Sequence, residues 1–253
     1  MAASRPLLAP LVGGAIVALG ASATAEPALA VGATRPPPGR GAARLVDERS
    51  LTVGQVGAGW AVGVDAVVGV TPDLAIGVSH GAGALGAPRD GGGVCIDSTA
   101  HDCDGLYAGG FVDARWRVPG AATLTGVVRL GMVAAWSPQV RLGVVARGAA
   151  RHLWWRLAPE VAVALDRADG DRDALGVPAW LGVDLGAGSA WLATGVRGEL
   201  AGFADAVVVP LAAGVEGRYR GAALGLSAGY PQLLGRHAST RVRTLAWWIG
   251  WGW

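Results

Sequence analysis

The sequence predicts an all-β protein: a transmembrane, antiparallel, up-and-down β-barrel of twelve strands. From residue 49 onward, bulky apolar residues alternate with small or charged ones at a period of two, which is the period of a strand. The chain is 52% hydrophobic and only 16% charged, but it contains 42 glycines, too many for a helical membrane protein. Charges also interrupt every apolar run beyond the N-terminus, so membrane-spanning helices are excluded there.

The N-terminal region has the features of an export signal. A basic residue near the start precedes an apolar run at residues 7–19, and small residues follow at a possible cleavage site. We predict a signal peptide over residues 1–25, with cleavage after Ala30 as the second choice. Residues 26–48 show no periodicity and contain three consecutive prolines, which predicts a disordered periplasmic leader before a barrel at residues 49–253.

Eleven segments alternate clearly, and in those before the final one the charges fall on the face that carries the small residues. Two chain ends on the same side of a membrane require an even number of strands. The weaker alternation of residues 51–58 supplies a twelfth strand, with ten and fourteen strands as alternatives. The eleven segments are residues 60–70, 74–79, 105–118, 124–136, 140–150, 155–165, 175–185, 192–200, 207–219, 224–230 and 241–253.

The connections between the predicted strands alternate in length. Counting back from the C-terminus, the turns on the periplasmic side are all short. The opposite side carries the longer excursions, at residues 83–104, 167–173, 202–206 and 231–240, with a short turn at 137–139 as the exception. Short turns inside and long loops outside are typical of membrane barrels.

Alternation alone does not say which face is the interior. A secreted soluble barrel would turn its bulky residues inward and its arginines outward. The small-residue face, however, has far fewer charges than a water-facing surface normally carries. Twelve strands also enclose more volume than one layer of Val and Leu can fill, and aromatic residues lie near the strand ends, as in an interfacial girdle. We therefore predict that the bulky face meets lipid.

The charges on the small-residue face are then the predicted lining of the lumen. Their signs are nearly balanced, which indicates a network that props the interior, with a slight preference for anions if the lumen conducts. A plug of ion-paired side chains and an open pore both fit this pattern, and the small lumen residues favour the open pore. The predicted lining residues are Asp65, Asp113, Arg115, Arg117, Arg129, Arg141, Arg147, Arg156, Glu160, Asp184, Arg197, Glu199, Glu216 and Arg218.

Evidence for an enzyme is weak. Residues 77–81 and 225–229 match G-x-S-x-G, but that motif needs a strand leading into a helix, and two matches are expected by chance in a chain this rich in glycine. A barrel-embedded lipid hydrolase would need a paired Ser and His, whereas Ser79 and His80 are neighbours that point to opposite faces. We predict no catalytic residue, no metal site and no cofactor.

Two cysteines lie close together in the longest predicted outer loop. An exported protein meets an oxidising environment, so Cys95 and Cys103 are predicted to form a disulfide. Closing so short a loop would stabilise the fold by about 2–3 kcal/mol.

The final strand carries a resemblance to a known family. Trp247, Ile249, Trp251 and Trp253 share one face, while Trp248 stands on the otherwise small face. The chain resembles the bacterial outer-membrane β-barrel proteins, including porins, which commonly close with alternating hydrophobic residues and a terminal aromatic residue. It departs from their usual form by ending on Trp instead of Phe.

The resemblance implies a location in the bacterial outer membrane, in contact with its lipid and lipopolysaccharide. It also implies that the barrel-assembly machinery recognises Ile249, Trp251 and Trp253. We expect a monomer that acts as a passive pore for small hydrophilic solutes and not as an enzyme. The alternative is a non-conducting barrel whose outer loops bind a partner or stabilise the envelope. The formal net charge of +2 gives no basic excess, so no nucleic-acid partner is expected.

Overall fold

The computed structural model describes residues 35–52, 60–80, 94–95, 110–121, 123–132, 138–166, 173–201, 203, 207–235, 238 and 240–253. The predicted signal peptide and the first part of the predicted leader lie outside these residues. Cys103 does too, so its disulfide with Cys95 stays a prediction. Within the described residues, no helix is long and apolar enough to cross a membrane.

The strands form one antiparallel sheet in which successive strands of the barrel wall are neighbours in space. The first strand, Gly41–Thr52, pairs with the last, Val242–Gly252, as well as with the second, Trp60–Thr71. The sheet therefore closes on itself, and the predicted closed antiparallel barrel is confirmed. The strands are β1 Gly41–Thr52, β2 Trp60–Thr71, β3 Leu74–His80, β4 Val94–Cys95, β5 Gly110–Arg117, β6 Leu124–Met132, β7 Pro138–Ala150, β8 Leu153–Leu157, β9 Glu160–Ala164, β10 Ala174–Asp184, β11 Gly188–Glu199, β12 Val208–Tyr219, β13 Ala222–Gly235 and β14 Val242–Gly252.

β8 and β9 share one place in the barrel. Both pair with β7 on one side and β10 on the other, in a single continuous register. Pro159, which follows β8, and Pro178 on β10 have no N–H to donate, and this interrupts the ladder between the two segments. β4 is a two-residue addition that pairs with the start of β2. The barrel wall therefore has twelve strands, the predicted number.

The position of the first strand was predicted wrongly. We placed it at residues 51–58, whereas β1 is Gly41–Thr52, so residues 41–48 belong to the barrel and not to a disordered leader. The prediction assumed that charges face inward. In β1, Arg44 faces the lumen but Asp47 faces outward, and a charge on each face conceals the period of two.

The two faces of the sheet separate as the alternation predicts. Large apolar side chains are exposed around the outside of the barrel, including Val64, Leu181, Leu224 and Trp251. Most charged side chains of the strands point inward. A closed barrel with an apolar outer belt of this extent has lipid as its physical complement. The soluble-barrel alternative requires the opposite orientation, which the structure does not have.

One rim of the barrel, here called the lower rim, carries both the start of β1 and the chain's last residue. Its hairpins are tight, with positive φ at Arg151 (55°), Arg220 (47°) and Gly221 (84°). Two-residue hairpin turns need this left-handed geometry to match the twist of the strands that they join. The lower rim is the side that we predicted to be periplasmic.

The segment before β1 lies against the inner side of the lower rim. The Gly39 amide donates to the Gly69 carbonyl at 3.0 Å. Gly69 faces inward, and a Cβ there would overlap the Pro37 carbonyl oxygen, so only glycine leaves room for the segment. Arg35 Nη1 lies 3.6 Å from Asp73 Oδ1 in the turn between β2 and β3. Burial lowers the pKa of the Arg35 guanidinium, and the Asp73 carboxylate partly offsets this.

The seam between β1 and β14 holds a buried carboxylate on the lipid side. Asp47 is paired with Trp247 across the seam, and the indole Nε1 donates to Asp47 Oδ2 at 2.5 Å. Asp47 as a whole is 5% exposed. Because Trp247 itself remains exposed, the indole both satisfies the carboxylate and shields it from lipid, where an uncovered charge is costly.

We expect Trp247→Phe to lower the free energy of unfolding by about 1–3 kcal/mol, because Phe keeps an aromatic ring but loses the N–H. Denaturant unfolding of the barrel in lipid vesicles, followed by the mobility of unboiled samples on gels, measures this. Trp251→Phe, on the same face of the same strand, is the matched control. An equal loss in both variants would mean that the hydrogen bond to Asp47 contributes nothing.

Candidate functional site

The lumen is the candidate functional site, and its inner face divides into two walls. One, called the arginine wall, lies on β1 to β8 and β9, and the other, called the tryptophan wall, lies on β8, β10, β11 and β14. The arginine wall consists of Arg44, Asp65, Asp113, Arg115, Arg129, Arg141, Arg147, Arg156 and Glu160. The tryptophan wall consists of Trp154, Trp180, Trp191 and Trp248.

On the arginine wall, two adjacent arginines share one carboxylate. Arg129 and Arg141 are direct partners on β6 and β7, and Glu160 on β9 lies 3.0 Å from Arg129 Nη1 and 3.4 Å from Arg141 Nη1. Arg141 Nε also donates to Gln139 Oε1 at 2.7 Å, and its guanidinium lies over the Phe111 ring. A single carboxylate therefore separates two like charges, and the group keeps a net positive charge.

A second ion pair is fully buried. Arg115 holds Asp113 in two parallel hydrogen bonds, from Nε to Oδ1 at 2.5 Å and from Nη2 to Oδ2 at 3.0 Å. Gly77, paired with Asp113 on β3, makes room for it, since a Cβ there would lie 2.7 Å from Asp113 Oδ1. This two-point geometry fixes both side chains against the wall.

The two walls meet at a stacked arginine. Arg147 and Arg156 are paired across β7 and β8, and both point into the lumen. The guanidinium carbon of Arg156 lies 4.8 Å from the centroid of the Trp180 ring. At this distance the ring face attracts the cation, so Arg156 marks the boundary between the charged and the aromatic side of the lumen.

The tryptophan wall is built from indoles that lie over glycines of neighbouring strands. Trp191 on β11 covers Gly214 on β12, and Trp248 on β14 covers Gly225 on β13, where a Cβ would overlap the ring. The two indoles lean toward each other, with ring centroids 6.3 Å apart. Trp154 covers Gly182 in the same way. Glycine is required at these positions because the rings occupy the space of a side chain.

A polar cluster anchors this wall near the lower rim. Trp248 Nε1 donates to Glu216 Oε2 at 3.2 Å, and Glu216 Oε1 lies 3.4 Å from Arg218 Nε. Arg218 Nη2 is also 3.9 Å from Asp184 Oδ1. The buried glutamate is thus held by an indole on one side and a guanidinium on the other, and it fixes the orientation of Trp248.

The predicted lining residues divide into three groups. Most lie on the inner face and take part in the contacts described above. Arg117 lies at the lower rim, where its Nε is 3.3 Å from Asp73 and half of its side chain is exposed. Arg197 and Glu199 lie at the end of β11 that is farther from the lower rim. The roles of all these residues in transport stay predictions.

Sequence reasoning missed several residues that matter in the lumen. Arg44, whose Nη2 is 3.2 Å from Asp65, lies in the segment predicted as a leader. The alternation placed Trp180 and Trp248 on the small-residue face, and this was the available signal for an aromatic wall. The packing of Trp191 on Gly214 could not be predicted from the sequence, because it depends on the register between two strands.

The described residues include no group of three or more His, Cys, Asp or Glu side chains that could hold a metal ion. Ser227, in one of the two hydrolase-like motifs, lies within β13, where the strand continues to Gly235. Its motif is therefore not the strand-to-helix turn that a nucleophilic serine requires.

Comparison with known proteins agrees with this architecture. The barrel is similar to the structure of the KdgM porin in complex with disordered oligogalacturonate, with a TM-score of 0.57, 6% sequence identity, and coverage of 83% of this chain and 98% of that one. A second KdgM porin structure gives a TM-score of 0.56, 6% identity, and coverage of 82% and 98%.

The fold is that of a porin-like outer-membrane barrel. No protein-family model and no curated protein sequence matches the chain. At this low identity, the likeness to the KdgM porin establishes the fold alone. The closed barrel, its apolar outer belt and the porins that share the fold support the predicted location in the bacterial outer membrane.

We expect Asp113→Asn to lower the free energy of unfolding by about 3–5 kcal/mol, because it removes the charge of the carboxylate that accepts two hydrogen bonds from the buried Arg115. Asp65→Asn is the comparison, since the pair that Asp65 forms with Arg44 is partly exposed, and a loss on the order of 1 kcal/mol is expected. Denaturant unfolding in lipid vesicles measures both. Similar losses for the two variants would contradict the special cost of the buried pair.

Proposed function

We propose that the barrel is a passive pore for small hydrophilic solutes, with a preference for anions. The observation that carries this is the exposure of the arginine wall. The side chains of Arg129, Arg141 and Glu160 are 21%, 28% and 22% exposed although they point into the barrel. Space for water therefore remains beside these charges inside the barrel.

The charge of this wall supports the preference for anions. The wall carries six arginines and three carboxylates, so positive charge is in excess, and Arg147 and Arg156 are paired side by side across β7 and β8. A ring of fixed charge in a narrow passage raises the local concentration of ions of the opposite sign. The sequence predicted near-balance over the whole lumen, whereas the structure gathers the positive excess on one side.

The similarity to the KdgM porin also supports anions as the class of solute. The KdgM porin is described in complex with oligogalacturonate, a carboxylate-bearing saccharide. A solute of that chemistry would find guanidinium donors along the arginine wall, and guanidinium groups bind carboxylates through paired hydrogen bonds. We propose small anionic solutes as the preferred class.

The remaining parts of the proposal follow from the barrel itself. We propose a monomer in the outer membrane, in contact with lipid and lipopolysaccharide. The strand that closes the barrel would be recognised by the assembly machinery through Ile249, Trp251 and Trp253. No enzymatic role is proposed.

One observation favours a second candidate, a non-conducting barrel whose outer loops bind a partner or stabilise the envelope. The tryptophan wall is tightly packed, and the buried pair of Arg115 and Asp113 also fills part of the interior. If the side chains of the two walls met across the lumen, the barrel would be a plug. The exposure of Arg141 and its neighbours makes the pore the better supported candidate.

Planar-bilayer recording of the refolded protein tests the pore directly. We expect discrete conductance steps and, in a potassium chloride gradient, a reversal potential that indicates preference for chloride. The double variant Arg129→Gln/Arg141→Gln is expected to move the reversal potential toward that of potassium, because two positive charges leave the lumen. Glu160→Gln is expected to move it the other way.

The control for charge removal is Arg243→Gln. Arg243 lies near the start of β14, on the face that points away from the lumen, and its guanidinium lies over the Tyr230 ring. Its loss is expected to leave selectivity unchanged. Unboiled gel mobility checks that each variant is folded. A folded wild-type protein that gives no steps would overturn the pore.

A further inference from the structure

We propose that solutes pass only along the arginine wall, and that the tryptophan wall closes the other side of the lumen and sets the size limit. This inference rests on the proposed pore and adds that its two walls have different roles. Arginines determine which charge is preferred, and tryptophans determine how large a solute can be.

The first support is the difference in exposure between the two walls. Trp191 and Trp248 are 5% and 4% exposed, and Ala246, which faces the lumen two residues before Trp248, is 1% exposed. On the opposite wall, Arg129 and Arg141 keep more than a fifth of their side-chain surface. Water therefore reaches the arginine wall beside Arg129 and Arg141 and hardly reaches the indoles, while Arg115 and Asp113 on the arginine wall are as buried as the rings.

The second support is the size of the barrel. Eight strands already enclose an interior that side chains can fill, so twelve strands leave a space that ordinary aliphatic residues would not close. Large rings placed over glycines can fill it from one side. Trp191 over Gly214 and Trp248 over Gly225 do this across the two strands that separate them.

The third support is that the indoles are covered on their faces. A tryptophan that binds a sugar must expose the face of its ring to the solute. The rings of Trp180, Trp191 and Trp248 belong instead to one packed cluster with Val46 and inward-facing alanines. They therefore act as a filled wall and not as a binding platform.

The boundary of the wall is also fixed. Trp248 is oriented by its hydrogen bond to the buried Glu216, and Trp180 is covered by the Arg156 guanidinium at 4.8 Å. The cluster is thus held by polar contacts at both ends. A solute moving along the arginine wall would meet Arg156 as the last charge before the closed side.

Trp191 is the residue to change, because its Nε1 makes no hydrogen bond to any described residue. Its removal therefore takes away bulk without breaking such a bond. We expect Trp191→Ala to raise single-channel conductance and to admit larger neutral sugars in liposome-swelling assays, with Trp191→Phe giving a smaller increase. The reversal potential in a salt gradient is expected to stay as in the wild type. Trp116→Ala is the matched control, because Trp116 is exposed on the lipid side and lies over Gly126, and it should change neither property.

A second measurement does not depend on conduction. In a Cys95→Ser/Cys103→Ser background, Ser79→Cys reports on the arginine wall, where it lies between Asp65 and Phe111. Ser227→Cys reports on the closed side, next to Gly214. We expect a water-soluble maleimide to label Ser79→Cys much faster than Ser227→Cys. Adding Trp191→Ala should accelerate labelling at position 227 only.

The outcomes separate the two proposals. Equal labelling of the two positions, or unchanged conductance and size limit in folded Trp191→Ala, overturns the closed wall even if the protein conducts. Slow labelling at position 227 in a barrel that gives no conductance steps overturns the pore while the closed wall stands.

Discussion

The structure depends on the closure of the sheet between β1 and β14. Inside a bilayer no water is present to satisfy an open strand edge, so every backbone amide and carbonyl in the wall needs a partner strand. The seam supplies these partners from the pair of Ala42 and Gly252 to the pair of Thr52 and Val242. It ends in reciprocal 3.0 Å hydrogen bonds between Gly41 and Trp253. Once the sheet is closed, each residue faces either lipid or lumen.

Closure also explains why the lumen contains opposed kinds of chemistry. Inward charges cannot turn away from one another, so they are arranged in pairs and shared contacts, such as Glu160 between Arg129 and Arg141. Where charges are absent, the space is filled by indoles over glycines. A single interior thus combines a hydrated electrostatic surface with a packed apolar one, and Arg156 over Trp180 joins them.

The sequence was sufficient for the fold, because a period of two, an aromatic closing strand and an even strand number each follow from local patterns. It failed at β1, where Asp47 faces lipid beneath Trp247 and breaks the rule that charges face inward. For the site, the pattern located the inward arginines but could not pair them. Contacts such as Arg129 with Glu160 join β6 to β9, and the packing of Trp191 on Gly214 requires the register of two strands.

The packing of indoles on glycines has a consequence for how this sequence can change over evolutionary time. Trp191 and Gly214 lie on different strands, yet a side chain at position 214 would collide with the ring, and loss of the ring would leave a hole above the glycine. The same holds for Trp248 with Gly225 and for Trp154 with Gly182. Each pair is a unit of coupled substitution, so in related barrels the bulky and the glycine position should vary together or not at all.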